Sequence, residues 1–232
     1  MLITDVRIDT ADTRTTARFY RDVLDLPVSL SGDVAVVTVG RSTVTFVQLA
    51  GVTESNHLAF TIPSNRFAEA KAWLAERVDP MSWDGGETEL RLGEPWNSES
   101  VYFLGPDDII LELITRAHLD NPSDEPFSGA QLLCVSEVGL ATSNVAMAFA
   151  DVRSTFGVET FAGESPDFTT VGDQEGLLIL VTEGRPWFPT TDMRAATGSA
   201  RVTLGGVSAG VVTSDSGWTV TGGSGIAGTV PA

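Results

Sequence analysis

The sequence predicts an α+β protein built from repeated βαβββ units, the fourth of which lacks its helix. Strand-like segments with apolar residues at every second position alternate with three helical segments whose apolar residues recur every three or four positions. The order strand, helix, strands occurs twice before residue 117 and starts again after residue 131. A repeat of this length indicates a structural unit whose copies bury one another.

The first two units are the most regular. Their segments, in chain order, are a strand at 5–8, a helix ending at 24, a strand at 46–49, a strand at 57–62, a helix at 67–74 and a strand at 110–113. Each unit therefore opens on a strand, continues with a helix and closes on an apolar strand that carries one polar residue.

The third and fourth units are less complete. The third has a strand at 137–140, a helix at 145–152, and two strands at 170–173 and 176–181. The fourth starts with a strand at 201–204, but no helical pattern follows it. The remainder is rich in glycine, serine, threonine and valine, a composition that predicts only turns and short strands.

The segment 117–131 separates the second unit from the third. It contains two prolines and several acidic residues and shows no apolar periodicity, which is typical of a linker. The chain is long enough for two domains of ordinary size. We therefore expect one domain at 1–116, with units 1 and 2, and a degenerate one at 132–232, with unit 3 and the truncated unit 4.

Charge and composition limit the possible partners. The net charge of −17 argues against binding to nucleic acid, which requires a basic surface, and against anionic membranes. No apolar run is long enough for a membrane span, and the first residues do not resemble a signal peptide. The only cysteine, Cys134, lies in an apolar run and fits a buried thiol in a reducing compartment. We expect a cytoplasmic monomer or homodimer whose partner is a small-molecule substrate or ligand.

One polar residue in each opening or closing strand of the first two units is of a type that can bind a metal. These residues are Asp5, Gln48, His57 and Glu112. Successive side chains of a strand point to opposite faces, so Leu58 and Phe60 are expected to face the helix and His57 the other side. The same alternation predicts that all four polar residues share the face away from the helices.

Three segments of the first half resemble the vicinal-oxygen-chelate superfamily, which includes glyoxalase I, bleomycin-resistance proteins and extradiol dioxygenases. They are the helix end at 17–26, the strand at 56–62 and the run YFLGPDDIILEL at 102–113. The similarity covers 1–116 well and 132–190 more weakly. It implies that the curved mixed sheets of two βαβββ units pair into a cup that holds a divalent metal.

Transferred one residue at a time, the resemblance implies metal ligands at His57, Glu112, Gln48 and Asp5, in a cup formed by units 1 and 2. His57 and Glu112 match the common ligands of the family. Gln48 is a variant with a coordinating amide oxygen, and Asp5 departs from the usual His or Gln. One imidazole with several oxygens suits Zn, Ni, Mn or Fe(II).

Two functions remain open on this basis. The first is a metal-dependent enzyme of the lyase or isomerase type that acts on a small substrate with two adjacent oxygens, with Glu112 or Asp5 as general base. Ring-cleaving dioxygenase chemistry is less expected, because the only other histidine, His118, lies in the linker. The second is a metal-free binding or resistance protein that sequesters a small molecule against Trp83, Trp96 or Tyr102.

The second half is expected to be catalytically silent. Alignment of the repeats places Glu137 at the position of Asp5 and Arg201 at that of His57. Arginine cannot ligate a metal, because it stays protonated. The sequence therefore predicts a Glu137–Arg201 ion pair between units 3 and 4 in place of a metal.

Overall fold

The computed structural model describes residues 1–52 and 56–223, and it contains the predicted repeats. Unit 1 consists of β1 (Leu2–Thr10), α1 (Thr13–Arg18), a π-helical turn (Phe19–Val23), β2 (Val28–Ser31), β3 (Val34–Val39) and β4 (Ser42–Gln48). Unit 2 consists of β5 (His57–Thr61), α2 (Phe67–Ala75), β6 (Leu90–Leu92), β7 (Ser98–Leu104) and β8 (Ile110–Arg116). The expected α+β class is confirmed.

Units 3 and 4 follow the same plan, except that unit 4 lacks a helix among the described residues. Unit 3 consists of β9 (Cys134–Thr142), α3 (Val145–Phe156), β10 (Thr160–Glu164), β11 (Phe168–Asp173) and β12 (Gly176–Thr182). Unit 4 has β13 (Arg201–Gly205), β14 (Gly210–Thr213) and β15 (Thr219–Gly223), with no helix in the part that the structure describes. The predicted tail beyond residue 223 lies outside the described residues.

Polar residues cap the first turns of α1 and α3. The Asp12 carboxylate accepts the backbone N–H of Arg14 at 2.9 Å at the start of α1. The Asn144 side chain accepts that of Met147 at 3.0 Å at the start of α3. Such caps satisfy backbone donors that have no partner within the helix. The helices pack on one face of the sheet through buried side chains such as Tyr20, Leu74 and Phe149.

Within every unit the first and last strands are parallel neighbours: β1 with β4, β5 with β8, β9 with β12, and β13 with β15. Between units the opening strands pair in antiparallel fashion, β5 with β9 and β1 with β13. We call the half formed by β5–β12 the inner cup. The half formed by β1–β4 and β13–β15 is the outer sheet.

This pairing corrects the expectation that units 1 and 2 share a cup. Strand β9 lies between β1 and β5 and meets β1 at a single residue pair, Ile3 with Val135. Unit 2 therefore pairs with unit 3, and unit 1 with unit 4. The segment 117–131 carries no strand, yet the β5–β9 ladder joins the two sides of it. The division into domains at 1–116 and 132–232 stays a prediction.

Among the described residues, no helix is both long and apolar enough to span a membrane. Cys134 is buried, as predicted, and forms no disulfide.

Candidate metal centre

His57 is the first residue of β5 and is buried in the inner cup. Its Nδ1 lies 3.2 Å from the carbonyl oxygen of Ile110 on β8. Its Nε2 lies 3.5 Å from Oε2 of Glu112 and 3.5 Å from Oε2 of Glu137. If Nδ1 carries the proton and donates it to the carbonyl, the lone pair of Nε2 points at both carboxylates.

The strand register explains why these three side chains meet. Ala59, two residues after His57, pairs with Glu112 on β8 and with Glu137 on β9. The two carboxylates therefore flank the strand that carries the imidazole, one from unit 2 and one from unit 3. One nitrogen and two carboxylate oxygens lie within 4.8 Å of one another, and all three residues are buried.

The same strand register defines a fourth position in the inner cup, and an apolar residue occupies it. In unit 2, the residue two after His57 pairs with Glu112. In unit 3, the residue two after Glu137 is Gly139, and it pairs with Ile179 on β12. Ile179 borders the cavity above the cluster and cannot ligate a metal. The inner cup thus offers three metal-binding side chains, and its fourth position contributes none.

The structure corrects the placement of Gln48, which the sequence assigned to the metal site. Val44 and Phe46 are the buried residues of β4, and the Phe46 ring lies 4.9 Å from that of Tyr20 on the helix side. Gln48 is two residues after Phe46 and therefore lies on this same face, where its Oε1 accepts a hydrogen bond from Thr13 of α1 at 3.2 Å.

Asp5 is also absent from the cluster. Its cross-strand neighbours on β4 and β13 are Thr43 and Thr203, and Thr43 donates a hydrogen bond to its carboxylate. The structure therefore does not bring Asp5 together with His57 and Glu112, because the strand of Asp5 pairs with unit 4. His57 and Glu112 do meet.

Glu137 was placed in an ion pair with Arg201, and this is wrong. Arg201 is exposed on β13. Glu137 instead accepts a hydrogen bond through Oε1 from Nη2 of Arg116, whose side chain is completely buried. Glu137 is the residue of unit 3 that corresponds to His57 of unit 2, so the alignment of the repeats identified its position correctly. The pairing of units 2 and 3 was the missing information.

Burial and mutual charge shift the pKa values of the three groups in different directions. Burial and the neighbouring charge of Glu137 raise the pKa of Glu112 to about 7. Burial alone would raise the pKa of Glu137, but the hydrogen bond with His57 and the charge of Arg116 hold it below its usual value. Burial opposes protonation of His57, yet the two carboxylates raise its pKa. The carboxyl group of Glu112 thus keeps its proton more readily than that of Glu137.

Aromatic side chains form the wall of a cavity of about 190 Å³ beside the cluster. Tyr102 and Trp96 border it, as do Trp187 and Phe188 from the loop after β12. Trp83 packs edge-on against Tyr102, with ring centroids 6.2 Å apart. Of the three aromatic residues named from the sequence, Trp96 and Tyr102 border the cavity, and Trp83 packs against Tyr102.

Gly139 makes room for one of these rings. A Cβ atom at this position would lie 2.5 Å from the Trp187 ring and 3.1 Å from Cβ of His57. The absence of a side chain lets Trp187 pack beside the imidazole, with ring centroids 5.7 Å apart.

The donor set fits a divalent metal. An imidazole that donates through one nitrogen to a backbone carbonyl and offers the other is the usual state of a metal-ligating histidine. One nitrogen and two carboxylates suit Zn, Ni, Mn or Fe(II), with positions left for substrate oxygens. His57, Glu112 and Glu137 are the residues that would hold it.

No protein-family model matches the sequence, and no curated protein is significantly similar to it. Solved structures do match the fold. A "putative dioxygenase" from Bacillus subtilis aligns with a TM-score of 0.61 and 14% identity, over 96% of this chain and 85% of that one. A single-residue variant of glyoxalase I from Zea mays aligns with a TM-score of 0.56 and 13% identity, over 95% and 91%. The protein therefore has the fold of the glyoxalase, or vicinal-oxygen-chelate, superfamily.

Proposed function

We propose that this protein is a divalent-metal-dependent enzyme of the lyase or isomerase type, acting on a small substrate with two adjacent oxygen atoms. The observation that carries the proposal is the position of His57 Nε2, 3.5 Å from a carboxylate oxygen of both Glu112 and Glu137. Likeness in fold to glyoxalase I from Zea mays is consistent with it.

A divalent ion at such a site supplies Lewis acidity toward oxygen atoms of a substrate. Glu112 is the residue we assign to proton transfer, because it borders the cavity and is hydrogen-bonded by Ser100 and Tyr102. The aromatic rings of Tyr102, Trp187 and Phe188 exclude water and bind the apolar part of the substrate. Ring cleavage that requires two imidazoles is disfavoured, since only one histidine belongs to the cluster.

The alternative is a metal-free protein that binds and sequesters a small molecule. The aromatic wall supports it, and so does the balance of charge, because Arg116 and a protonated His57 can compensate two carboxylates without an ion. The two functions differ in one measurable property, the metal content.

Metal analysis of protein purified without added metal, followed by calorimetric titration with Zn, Ni, Mn and Fe(II), tests the proposal. We expect about one equivalent in the wild type and a loss of at least about 100-fold in affinity in His57→Ala, which removes the only nitrogen donor. His118→Ala is the matched control, because His118 is exposed, hydrogen-bonded to Glu94 and not part of the cluster. A wild type without measurable affinity for any of these metals would refute the enzyme proposal and favour sequestration.

The substrate class can be narrowed with the same protein. A thermal-shift screen of dicarbonyls, catechols and antibiotics, with and without metal, separates the two functions further. Stabilisation that requires metal supports the enzyme, whereas stabilisation in the presence of chelator supports sequestration.

A further inference from the structure

Arg116 is the last residue of β8 and is the only described arginine whose side chain is fully buried. Its guanidinium lies 5.7 Å from the ring centroids of both Trp96 and Phe161. Burial of a cation costs free energy unless the cation is paired. The hydrogen-bond partners of Arg116 therefore indicate its role.

The hydrogen bonds of Arg116 are divided between two residues. Nη2 donates to Oε1 of Glu137, and Nε donates to the Ser136 hydroxyl at 3.3 Å. Nη1 is buried and has no hydrogen-bond partner among the residues that the structure describes. Arginine and a carboxylate commonly form two parallel hydrogen bonds, which is the stronger arrangement. Here only one oxygen of Glu137 is used, although a guanidinium donor remains free.

The oxygen that Arg116 does not bind is the one at the metal centre. Oε2 of Glu137 lies 3.5 Å from His57 Nε2. An ion pair that served only to join β8 and β9 would gain from the second hydrogen bond. The split geometry instead leaves Oε2 without a hydrogen bond from Arg116, on the side of His57 and Glu112.

We propose that Arg116 is a positioning residue, which holds one oxygen of Glu137 so that the other serves as a single metal ligand. Ser136 completes the arrangement, because its hydroxyl occupies Nε and keeps the guanidinium from turning both donors toward Glu137. This inference rests on the proposed function, since it requires that a metal binds at His57, Glu112 and Glu137.

Titration with Co²⁺ tests the role of Arg116 through two readouts, the affinity and the visible absorption spectrum, which depends on the coordination geometry. We expect Arg116→Met to weaken Co²⁺ binding by roughly 10- to 100-fold and to change the spectrum, as loss of a residue that orients a ligand does. Arg116→Lys, which keeps one charged donor, should restore most of the affinity. Arg41→Met is the control, because Arg41 pairs with Glu175 outside the cluster.

Ser136→Ala covers the case in which Arg116→Met does not fold. This variant keeps the charge but frees Nε, and we expect a severalfold loss of Co²⁺ affinity with an unchanged circular dichroism spectrum. If the Ser136 variant and any folded Arg116 variant bind Co²⁺ like the wild type, with the same spectrum, Arg116 has only a structural role. The inference is then wrong. A wild type that binds no Co²⁺ overturns this inference and the proposed function together.

Discussion

The inner cup and the outer sheet are built on the same backbone plan, yet among the described residues only the inner cup brings metal-binding side chains together. In the inner cup the register positions carry His57, Glu112, Glu137 and Ile179. In the outer sheet, Arg7, two residues after Asp5, pairs with Thr45, and Thr203, two residues after Arg201, pairs with Thr221. The equivalent set is therefore Asp5, Thr45, Arg201 and Thr221.

The difference between the two sets is chemical rather than topological. Asp5 is the only carboxylate of the outer set, which has no imidazole, and Arg201 at the opposite position cannot ligate a metal. The inner set has one nitrogen and two carboxylates, covered by Trp187 and Phe188 from the loop after β12. A likeness in fold therefore does not distinguish the two halves, whereas the side chains at the four equivalent positions do.

The largest expected effect is on stability. Glu137→Ala leaves the buried Arg116 guanidinium without its carboxylate, and removal of one partner of a buried pair costs roughly 3–5 kcal/mol. The equivalent change Asp5→Ala removes one hydrogen bond from Thr43 and should cost about 1 kcal/mol. Urea unfolding in the presence of a chelator measures both free energies. Equal losses of unfolding free energy in the two variants would show that the Arg116–Glu137 pair stabilises the fold no more than the Thr43–Asp5 hydrogen bond.

The next effect is a pH dependence that belongs to the inner cup. Burial and the charge of Glu137 raise the pKa of Glu112 from 4.5 to about 7, so the folded state holds this proton more tightly than the unfolded state. Its contribution to stability is fully present below about pH 4.5 and is lost as the pH rises through 7. At 1.36 kcal/mol per pKa unit this amounts to about 3 kcal/mol.

Unfolding of metal-free protein at pH 5 and pH 8 measures that contribution. The wild type should lose more stability over this interval than Glu112→Gln, which cannot ionise. The raised pKa of His57 acts with the same sign, whereas the lowered pKa of Glu137 acts only near and below pH 4.5. Parallel pH profiles for wild type and variant would contradict the assignment.

The smallest effect concerns the outer sheet. Gln48→Ala removes one acceptor from the Thr13 hydroxyl on the helix side, at a cost of about 1 kcal/mol or less. We expect no change in metal affinity, measured by the same calorimetric titration as for His57→Ala. A loss of metal from this variant would restore Gln48 as a ligand and would contradict the separation of the two halves.

Local patterns were sufficient to predict the units and the three helices, and the family resemblance added that His57 and Glu112 meet. Both residues belong to one unit, and their positions follow from the parallel pairing of its first and last strands. The predicted alternation fails at β4, because Val44 and Phe46 are buried on the helix side and Gln48 shares their face.

The partner of unit 2 could not be predicted in this way. All nine residues of β9 are buried, so the burial pattern of this strand does not distinguish its two faces. Its register against β5 also shifts between Ala59 and Phe60. Pairing between units depends on contacts far apart in the sequence, and for this reason Glu137 was assigned to Arg201 rather than to the metal centre.

The pairing of β1 with β13 has a consequence for how the chain folds during synthesis. Ile3 pairs with Leu204, so one edge of the first strand has no partner until most of the protein has been made. Units 2 and 3 are contiguous in sequence and can close earlier around His57, because their ladder joins residues much nearer in the chain. An unpaired strand edge is a template for aggregation, so a ribosome-bound or C-terminally truncated chain is most vulnerable at β1.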